Sequence, residues 1–177
     1  MKLDAFAITV YRQPEVADAC LTLQETMGLD VPILLYCAWF GCFYGEMKEA
    51  VLFQAIEVST AYANSVVKPL RHTRRWMKDA AQSLSGLLTA DNLSSWQTLR
   101  EQIKAIEISS ELLWLKALET MTEQHLFTQH PDFKIENILS NMRRYCQTFR
   151  NSGELDDQDV TLFLSRIADA CAPAHKA

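Results

Sequence analysis

The sequence has little of what most catalytic motifs require. Its 177 residues include only 5 glycines and 5 prolines, and it has no glycine-rich phosphate loop, dinucleotide fingerprint or GxSxG elbow. The 4 histidines are scattered, and none stands in a zinc-ligand or Glu-x-x-His spacing. We therefore expect no metal site and no cofactor. An enzyme is disfavoured, although one of an unfamiliar helical type stays open.

Disulfide and membrane signatures are also missing. The 5 cysteines form no CxxC pair, and an odd number leaves one unpaired in any disulfide scheme, so we expect reduced, buried thiols in a cytoplasmic protein. The N-terminus has no signal-peptide pattern. The longest uncharged run, residues 31–45, has 15 residues, fewer than the ~20 that span a bilayer. The sequence predicts no membrane span.

The composition favours one helical domain. An apolar fraction of 49% with 22% charged residues is enough to bury a core, and a net charge of −5 disfavours general nucleic-acid binding. Apolar residues recur at helical spacing almost throughout. We predict an all-α fold, a single-domain helical bundle of about six to eight helices over residues 1–177.

The N-terminal half, residues 1–90, holds the most apolar segment. Residues 31–43 are apolar nearly all round, which is typical of a helix surrounded by other helices, and Asp30 is placed to cap it. Pro14 is expected in the first turn of the preceding helix, and Gly28 is expected to end that helix in a left-handed conformation. The segment 31–43 is the predicted centre of the bundle.

The rest of the chain divides at further breaks. Pro69 should break or kink the helix that begins near residue 46. Residues 91–171 predict a long helix and two closing helices, and residues 172–177 a frayed tail. The long helix, about 96–126, carries two apolar stripes, which predicts burial on two sides by the rest of the domain or by another copy. Its expected caps are Asn92, Ser94 or Ser95. The stripes are Trp96, Leu99, Ile103, Ile106, Leu113 and Ala117, and Ile108, Leu112, Leu115 and Leu118.

Five cations lie close together in this acidic chain. At 100° per residue, Lys68, Arg71, Arg75 and Lys78 share one helix face. Arg74 projects at the border of the apolar face. If Arg74 is partly buried it needs a carboxylate or several carbonyls, because an unpaired buried charge is very costly.

This basic face has two interpretations. It can be solvated surface that pairs with glutamates of residues 101–123, or it can bind an acidic protein surface or a phosphate-bearing ligand. The leading hypothesis is a non-enzymatic protein-interaction or regulatory module whose basic face docks a protein partner or another copy. The alternative is a binding protein for a small anionic or amphipathic ligand. Arg74 would hold its anionic head, and aromatic residues including Tyr36 and Trp39, otherwise core, would surround its apolar tail.

Three sequence blocks carry a family resemblance. They are PEVADACLTLQ at residues 14–24, GLDV with LLYC at residues 28–37, and VVKPLR followed by two arginines at residues 66–75. The blocks resemble an uncharacterised proteobacterial family, domain-of-unknown-function family 2390, and little after Lys78 matches. Pro32 departs from the pattern, where a polar residue is expected. The resemblance implies a bacterial, cytoplasmic origin and no activity.

Overall fold

The structure, a computed structural model, describes residues 1–83, 89–125, 127–129, 132–149 and 155–175. Over these residues the chain forms eight α-helices and one π-helical segment, with no β-strand, and the predicted all-α bundle is confirmed. No helix in these ranges is both long and apolar enough to cross a membrane. The helices are α1 Leu3–Tyr11, α2 Val16–Met27, α3 Val31–Phe43, α4 Glu49–Tyr62, the π-helical segment Ala63–Val67, α5 Lys68–Ser83, α6 Ala90–Gln124, α7 Ile135–Gln147 and α8 Asp157–His175.

The chain forms two compact units. Unit 1 comprises Met1–Glu57 and Leu115–Ala177, and unit 2 comprises Val58–Trp114. The boundaries fall inside α4 and α6, so each of these helices contributes residues to both units. Unit 1 contains the central helix, and unit 2 contains the cationic segment.

Helix α3 is the centre of unit 1, as predicted. Every residue from Pro32 to Phe43 is buried, and α3 packs against α1, α7 and α8. Close approach to α7 depends on Gly41, because a Cβ atom there would lie 2.7 Å from the Cα atom of Ile138. An apolar helix without a polar side is thus surrounded by its neighbours.

The ends of α2 confirm one prediction and correct another. Gly28 ends the helix with φ 73°, in the left-handed region expected for this glycine. Pro14, however, lies in a turn before the helix, where the Val16 N–H donates to the Gln13 carbonyl at 3.3 Å. Glu15 takes φ 63° in this turn, and helical geometry cannot begin until the chain leaves that left-handed residue. Asp30 occupies the cap position of α3 but makes no side-chain cap hydrogen bond.

A π-helical segment stands where a break at Pro69 is predicted. Ala63–Val67 lies between α4 and α5, and the Lys68 N–H donates to the Ala63 carbonyl, five residues back. Proline has no N–H and clashes with the carbonyl one turn earlier in a regular helix. The wider turn precedes Pro69, and the helical run continues through it to Ser83.

Helix α6 begins earlier than the sequence suggests. Its first residue is Ala90, so the expected caps Asn92, Ser94 and Ser95 all lie inside the helix. Thr89 takes the capping role, because its Oγ1 accepts the Asn92 N–H at 3.3 Å. A threonine hydroxyl that accepts this N–H satisfies one of the free donors of the first turn.

The burial of α6 also differs from the prediction. Leu115 and Leu118 of the second stripe are buried, whereas Leu99, Ile106 and Leu113 of the first stripe are exposed. Apolar spacing cannot specify which side of a helix its neighbour covers. The buried side of α6 in unit 2 includes Glu107 and Trp114 instead.

The predicted frayed tail is wrong as far as His175. Helix α8 continues to that residue with Pro173 inside it, and Ala174 is fully buried. The His175 ring stacks on Phe43, with 5.5 Å between ring centroids. These contacts to the core hold the end of the helix, and residues 176–177 lie outside the described ranges.

Candidate functional site

Two arginines of α5 and two glutamates of α6 form an ionic cluster in unit 2. Arg74 binds Glu107 side-on, with Nε to Oε2 at 2.5 Å and Nη2 to Oε1 at 3.1 Å. Arg71 bridges both carboxylates, with Nε to Glu107 Oε1 at 3.2 Å and Nη2 to Glu111 Oε1 at 2.6 Å. We call Arg71, Arg74, Glu107 and Glu111 the ionic cluster. Of the two kinds of partner predicted for a partly buried Arg74, the structure provides a carboxylate.

The ionic cluster is electrostatically balanced and partly desolvated. Glu107 is buried, and burial raises the pKa of its carboxyl, but the bonds from Arg74 and Arg71 outweigh this effect and the pKa is lowered. The hydrogen bond to Glu107 raises the pKa of Arg74. For Glu111, burial prevails over the attraction of Arg71 and raises the pKa. The two arginines and the two glutamates therefore form ion pairs with each other within the protein.

Aromatic side chains add further hydrogen bonds between α6 and the helical segment that precedes it, α4 to α5. The Trp114 Nε1 donates to the Ser59 Oγ at 2.7 Å, both groups being buried, and the Tyr62 hydroxyl donates to the Ser110 carbonyl at 3.2 Å. Farther along, the Trp96 Nε1 donates to the Met77 carbonyl at 3.0 Å. Successive residues along α4 and α5 contact α6 residues of decreasing number: Ser59 contacts Trp114, Tyr62 contacts Ser110, and Met77 contacts Trp96. Unit 2 is therefore an antiparallel helical hairpin.

The remaining predicted cations lie on the outer side of α5. Lys68, Arg75 and Lys78 are exposed, and the Lys68 Nζ donates to Asn64 Oδ1 at 3.0 Å. Trp76 is half-exposed at the edge of this side, about 100° around the helix from Arg75, and its ring lies 5.8 Å from that of Trp96. We call Lys68, Arg75 and Lys78 the α5 basic face. The five predicted cations are therefore divided, because Arg71 and Arg74 belong to the ionic cluster.

Tyr36 and Trp39 lie in the core of unit 1. Both side chains are buried; the Tyr36 hydroxyl lies 2.8 Å from Thr122 Oγ1, and the Trp39 Nε1 donates to the Met1 carbonyl at 3.1 Å. Their polar atoms thus have partners within the protein. These contacts are typical of core aromatics rather than of the wall of a ligand pocket.

Unit 1 contains a cavity of about 210 Å³, open to the surface. None of the predicted site residues lines it. In the described ranges, no group of three or more His, Cys, Asp or Glu side chains is placed to hold a metal ion. The cavity is lined by Met27, Arg143, Cys146, Gln147, Leu155, Asp157, Val160 and Thr161.

Two buried polar groups of unit 1 are not evident from the sequence. The Asn141 side chain accepts the Met47 N–H at 2.8 Å and donates to the Gly45 carbonyl at 3.1 Å. The Tyr145 hydroxyl accepts the Asp30 N–H at 2.9 Å. Both connect α7 to the ends of α3. The sequence signal that could have identified them is the spacing of Asn141 and Tyr145, two polar residues at positions i and i+4 on the buried side of α7.

The fold and these contacts define an all-α protein with a compact core and a helical hairpin. The chain belongs to the family described as protein of unknown function (DUF2390), which matches residues 2–118. The match extends well beyond Lys78 and includes all of unit 2. No curated protein and no solved structure matches the chain.

Proposed function

We propose that the protein is a non-enzymatic protein-interaction module whose α5 basic face binds an acidic surface of a protein partner. The observation that carries the proposal is the exposure of Lys68, Arg75 and Lys78 within about 80° on one side of α5, with the half-exposed Trp76 at the edge of that side, about 100° around the helix from Arg75. Tryptophan and arginine are the residues most often found at the energetic centres of protein interfaces. Trp76 is held beside Trp96, so little conformational entropy is lost when a partner covers its ring.

The division of the cations supports this choice of residues. Arg71 and Arg74 already bind carboxylates of α6, so an incoming anion would have to displace Glu107 or Glu111. Lys68, Arg75 and Lys78 are exposed at the outer side. Rim charges of this kind mainly accelerate association with an oppositely charged surface.

The alternative, a small anionic or amphipathic ligand, has less support. Its proposed elements were Arg74 for the head and Tyr36 and Trp39 for the tail. Arg74 binds Glu107 through two nitrogens, and the two aromatics are core residues of unit 1. A protein partner needs neither a cavity nor a vacant arginine. General nucleic-acid binding remains disfavoured by the net charge of −5.

The test is affinity capture with the tagged chain and identification of bound proteins by mass spectrometry. The variant Lys68→Glu/Arg75→Glu/Lys78→Glu should recover at least about tenfold less of a specific partner, the loss expected from about 1.4 kcal/mol of binding free energy. Trp76→Ala should lose the same partner, and added salt should weaken the wild-type complex. Arg71 and Arg74 stay unchanged because their reversal would disrupt the ionic cluster.

A charge-matched control separates this surface from a general effect of charge. Lys48, Lys104 and Lys116 are also exposed, and Lys48→Glu/Lys104→Glu/Lys116→Glu, which changes the net charge by the same amount, should keep the partner. Circular dichroism should show unchanged helix content in every variant. Equal recovery of all partners by the triple variant and the wild type would refute the proposed surface.

We also propose that the protein acts in the cytoplasm. All five cysteines are free and buried, which agrees with a reducing compartment. Fractionation of cells that express the tagged chain would test this location.

A further inference from the structure

The outer side of α6 in unit 2 carries an apolar stripe. Leu99, Ile106 and Leu113 are 48%, 53% and 59% exposed. They follow each other at intervals of seven residues, which places them within about 40° of one another on the helix. Three large aliphatic side chains are thus aligned along one side of α6 over about 21 Å. We call these three residues the α6 stripe.

The helix positions around the α6 stripe contain little charge, although 22% of the chain is charged. Among the residues three or four positions from its members, Trp96 and Ile103 are large and apolar, and Lys116 is the charged one. A partner with a charged surface would therefore find at most one complementary group here. The other neighbours at this spacing are Ser95, Gln102, Ser109, Ser110 and Ala117.

Three hydroxyls beside the stripe already have acceptors in their own helix. Thr98, Ser109 and Ser110 each donate to the carbonyl four residues earlier, at 2.8 to 3.0 Å. A buried hydroxyl is costly mainly when its hydrogen bond is unmade. Covering this side of α6 with an uncharged surface would therefore leave these three donors satisfied.

The α6 stripe is also symmetric in sequence. Leu99 and Leu113 each lie seven residues from Ile106. If two α6 helices pair antiparallel about Ile106, Leu99 of one copy meets Leu113 of the other, and Ile106 meets Ile106. A two-fold interface requires this self-complementarity.

We infer that the α6 stripe is an interface through which two copies of this chain associate, with their α6 helices antiparallel and the two-fold axis near Ile106. The surface lies on a different helix from the α5 basic face, so the inference does not depend on the proposed function. One helix pair over about 21 Å gives an interface at the low end of specific complexes. The dimer should therefore be weak, with a dissociation constant of roughly 1–100 µM.

Sedimentation equilibrium from about 1 to 500 µM, a range that brackets that constant, tests the association. The average mass of the wild type should rise with concentration from one chain toward two. Ile106→Lys should stay at the mass of one chain throughout. The matched control is Ile108→Lys, because Ile108 is the same residue type, is 48% exposed and lies about 160° around the helix; this variant should dimerise like the wild type.

Cross-linking tests the orientation. Under mild oxidation, Ile106→Cys should form a covalent dimer, and a mixture of Leu99→Cys and Leu113→Cys should form a mixed dimer. Leu99→Cys alone should not, since its two copies would lie about 21 Å apart along the helix axis in the antiparallel pair, too far for a disulfide. The wild type, whose five thiols are buried, is the background.

Three results would overturn the inference. The first is a wild type that keeps the mass of one chain at every concentration. The second is equal loss of the dimer in Ile106→Lys and Ile108→Lys, and the third is efficient self-linking of Leu99→Cys. Native circular dichroism of each variant establishes that the substitution at an exposed position has left the fold intact.

Discussion

Arg74 binds Glu107 through two parallel contacts from one guanidinium, Nε to Oε2 at 2.5 Å and Nη2 to Oε1 at 3.1 Å. The carboxylate is buried, while the guanidinium keeps part of its surface in water. A bidentate pair of this geometry is among the stronger polar contacts that a protein makes. The pair joins α5 to α6, so it should contribute to the stability of the hairpin.

Removal of Glu107 should destabilise the protein more than removal of Arg74. Glu107→Ala leaves two arginines facing a site without its main carboxylate, and we expect a loss of about 3 kcal/mol in the free energy of unfolding. Arg74→Ala leaves Glu107 with Arg71 and should cost about 1–2 kcal/mol. Denaturant unfolding followed by circular dichroism measures both values.

The double variant distinguishes a direct interaction from independent effects. Arg74→Ala/Glu107→Ala should cost at least about 1 kcal/mol less than the sum of the single changes. The control cycle uses Lys104 and Glu101, an exposed pair at 3.7 Å, whose coupling should be below about 0.5 kcal/mol. Additive costs at Arg74 and Glu107 would contradict a stabilising pair.

Acid should lower the free energy of unfolding by protonating Glu107. Its pKa in the fold is lowered from the ordinary value of 4.5, so its ionised form stabilises the fold above pH 4.5. This contribution is lost as the pH falls below 4.5 through the folded-state pKa. The free energy of unfolding should therefore decrease below pH 4.5 more steeply in the wild type than in Glu107→Gln.

Glu111 should affect the pH dependence of stability in the opposite direction. Burial raises its pKa above 4.5, so its ionisation disfavours the fold, and this cost grows as the pH rises above 4.5. As the pH rises above 4.5, the free energy of unfolding of Glu111→Gln should consequently increase relative to that of the wild type. Identical pH profiles for the wild type and both variants would refute the electrostatic account of the ionic cluster.

Local sequence patterns predicted the elements of the fold better than the faces that those elements bury. The apolar run of residues 31–43 and the left-handed Gly28 are local signals, and the structure confirms both. The exposed Leu99 was predicted to pack because helical periodicity carries no information about where a neighbour lies. Burial depends on the hairpin partner, which approaches α6 from the side of Glu107.

The candidate site was predictable to the same extent. The position of Arg74 at the border of an apolar face predicted that, if partly buried, it would need a carboxylate or several carbonyls. Which of the glutamates between residues 101 and 123 would supply it depends on the register of α5 against α6. That register is set by large side chains such as Tyr62 and Trp114, through contacts to Ser110 and Ser59, and these pairs have no local signature.

Gly41→Ala should disrupt the packing of α3 against α7. The added methyl would lie 2.7 Å from Ile138 Cα and 2.8 Å from Ile138 N, and backbone atoms cannot rotate away as a side chain can. The overpacking should exceed the gain in helix propensity and cost about 2–3 kcal/mol, or roughly 5–10 °C in Tm. Thermal unfolding followed by circular dichroism measures this change.

The comparison variant is Gly28→Ala. A Cβ atom at Gly28 would meet nothing within 4 Å, although φ is 73°, so only the backbone penalty of about 1 kcal/mol applies. Gly41→Ala should therefore lose more stability than Gly28→Ala. The reverse order would show that α3 and α7 can separate at low cost.

The five cysteines should be inert in the folded protein. All are buried, and burial raises the pKa of Cys20, Cys42 and Cys146 to about 12. Burial also raises the pKa values of Cys37 and Cys171. Because the thiolate is the reactive form, a thiol reagent at pH 8 should label the native chain at least about 100-fold more slowly than a free thiol. The same reagent should label all 5 cysteines in denaturant.

Mass spectrometry of the labelled chain identifies any cysteine that reacts early. Cys20, Cys37 and Cys171 are fully buried, so their labelling requires separation of packed helices and should follow the rate of unfolding. Gly41→Ala should accelerate it, because that substitution weakens the packing of α3, which carries Cys37. Rapid labelling of Cys37 in the stable wild type would contradict a closed core around α3, since a thiol with no path to solvent cannot meet the reagent unless that core opens.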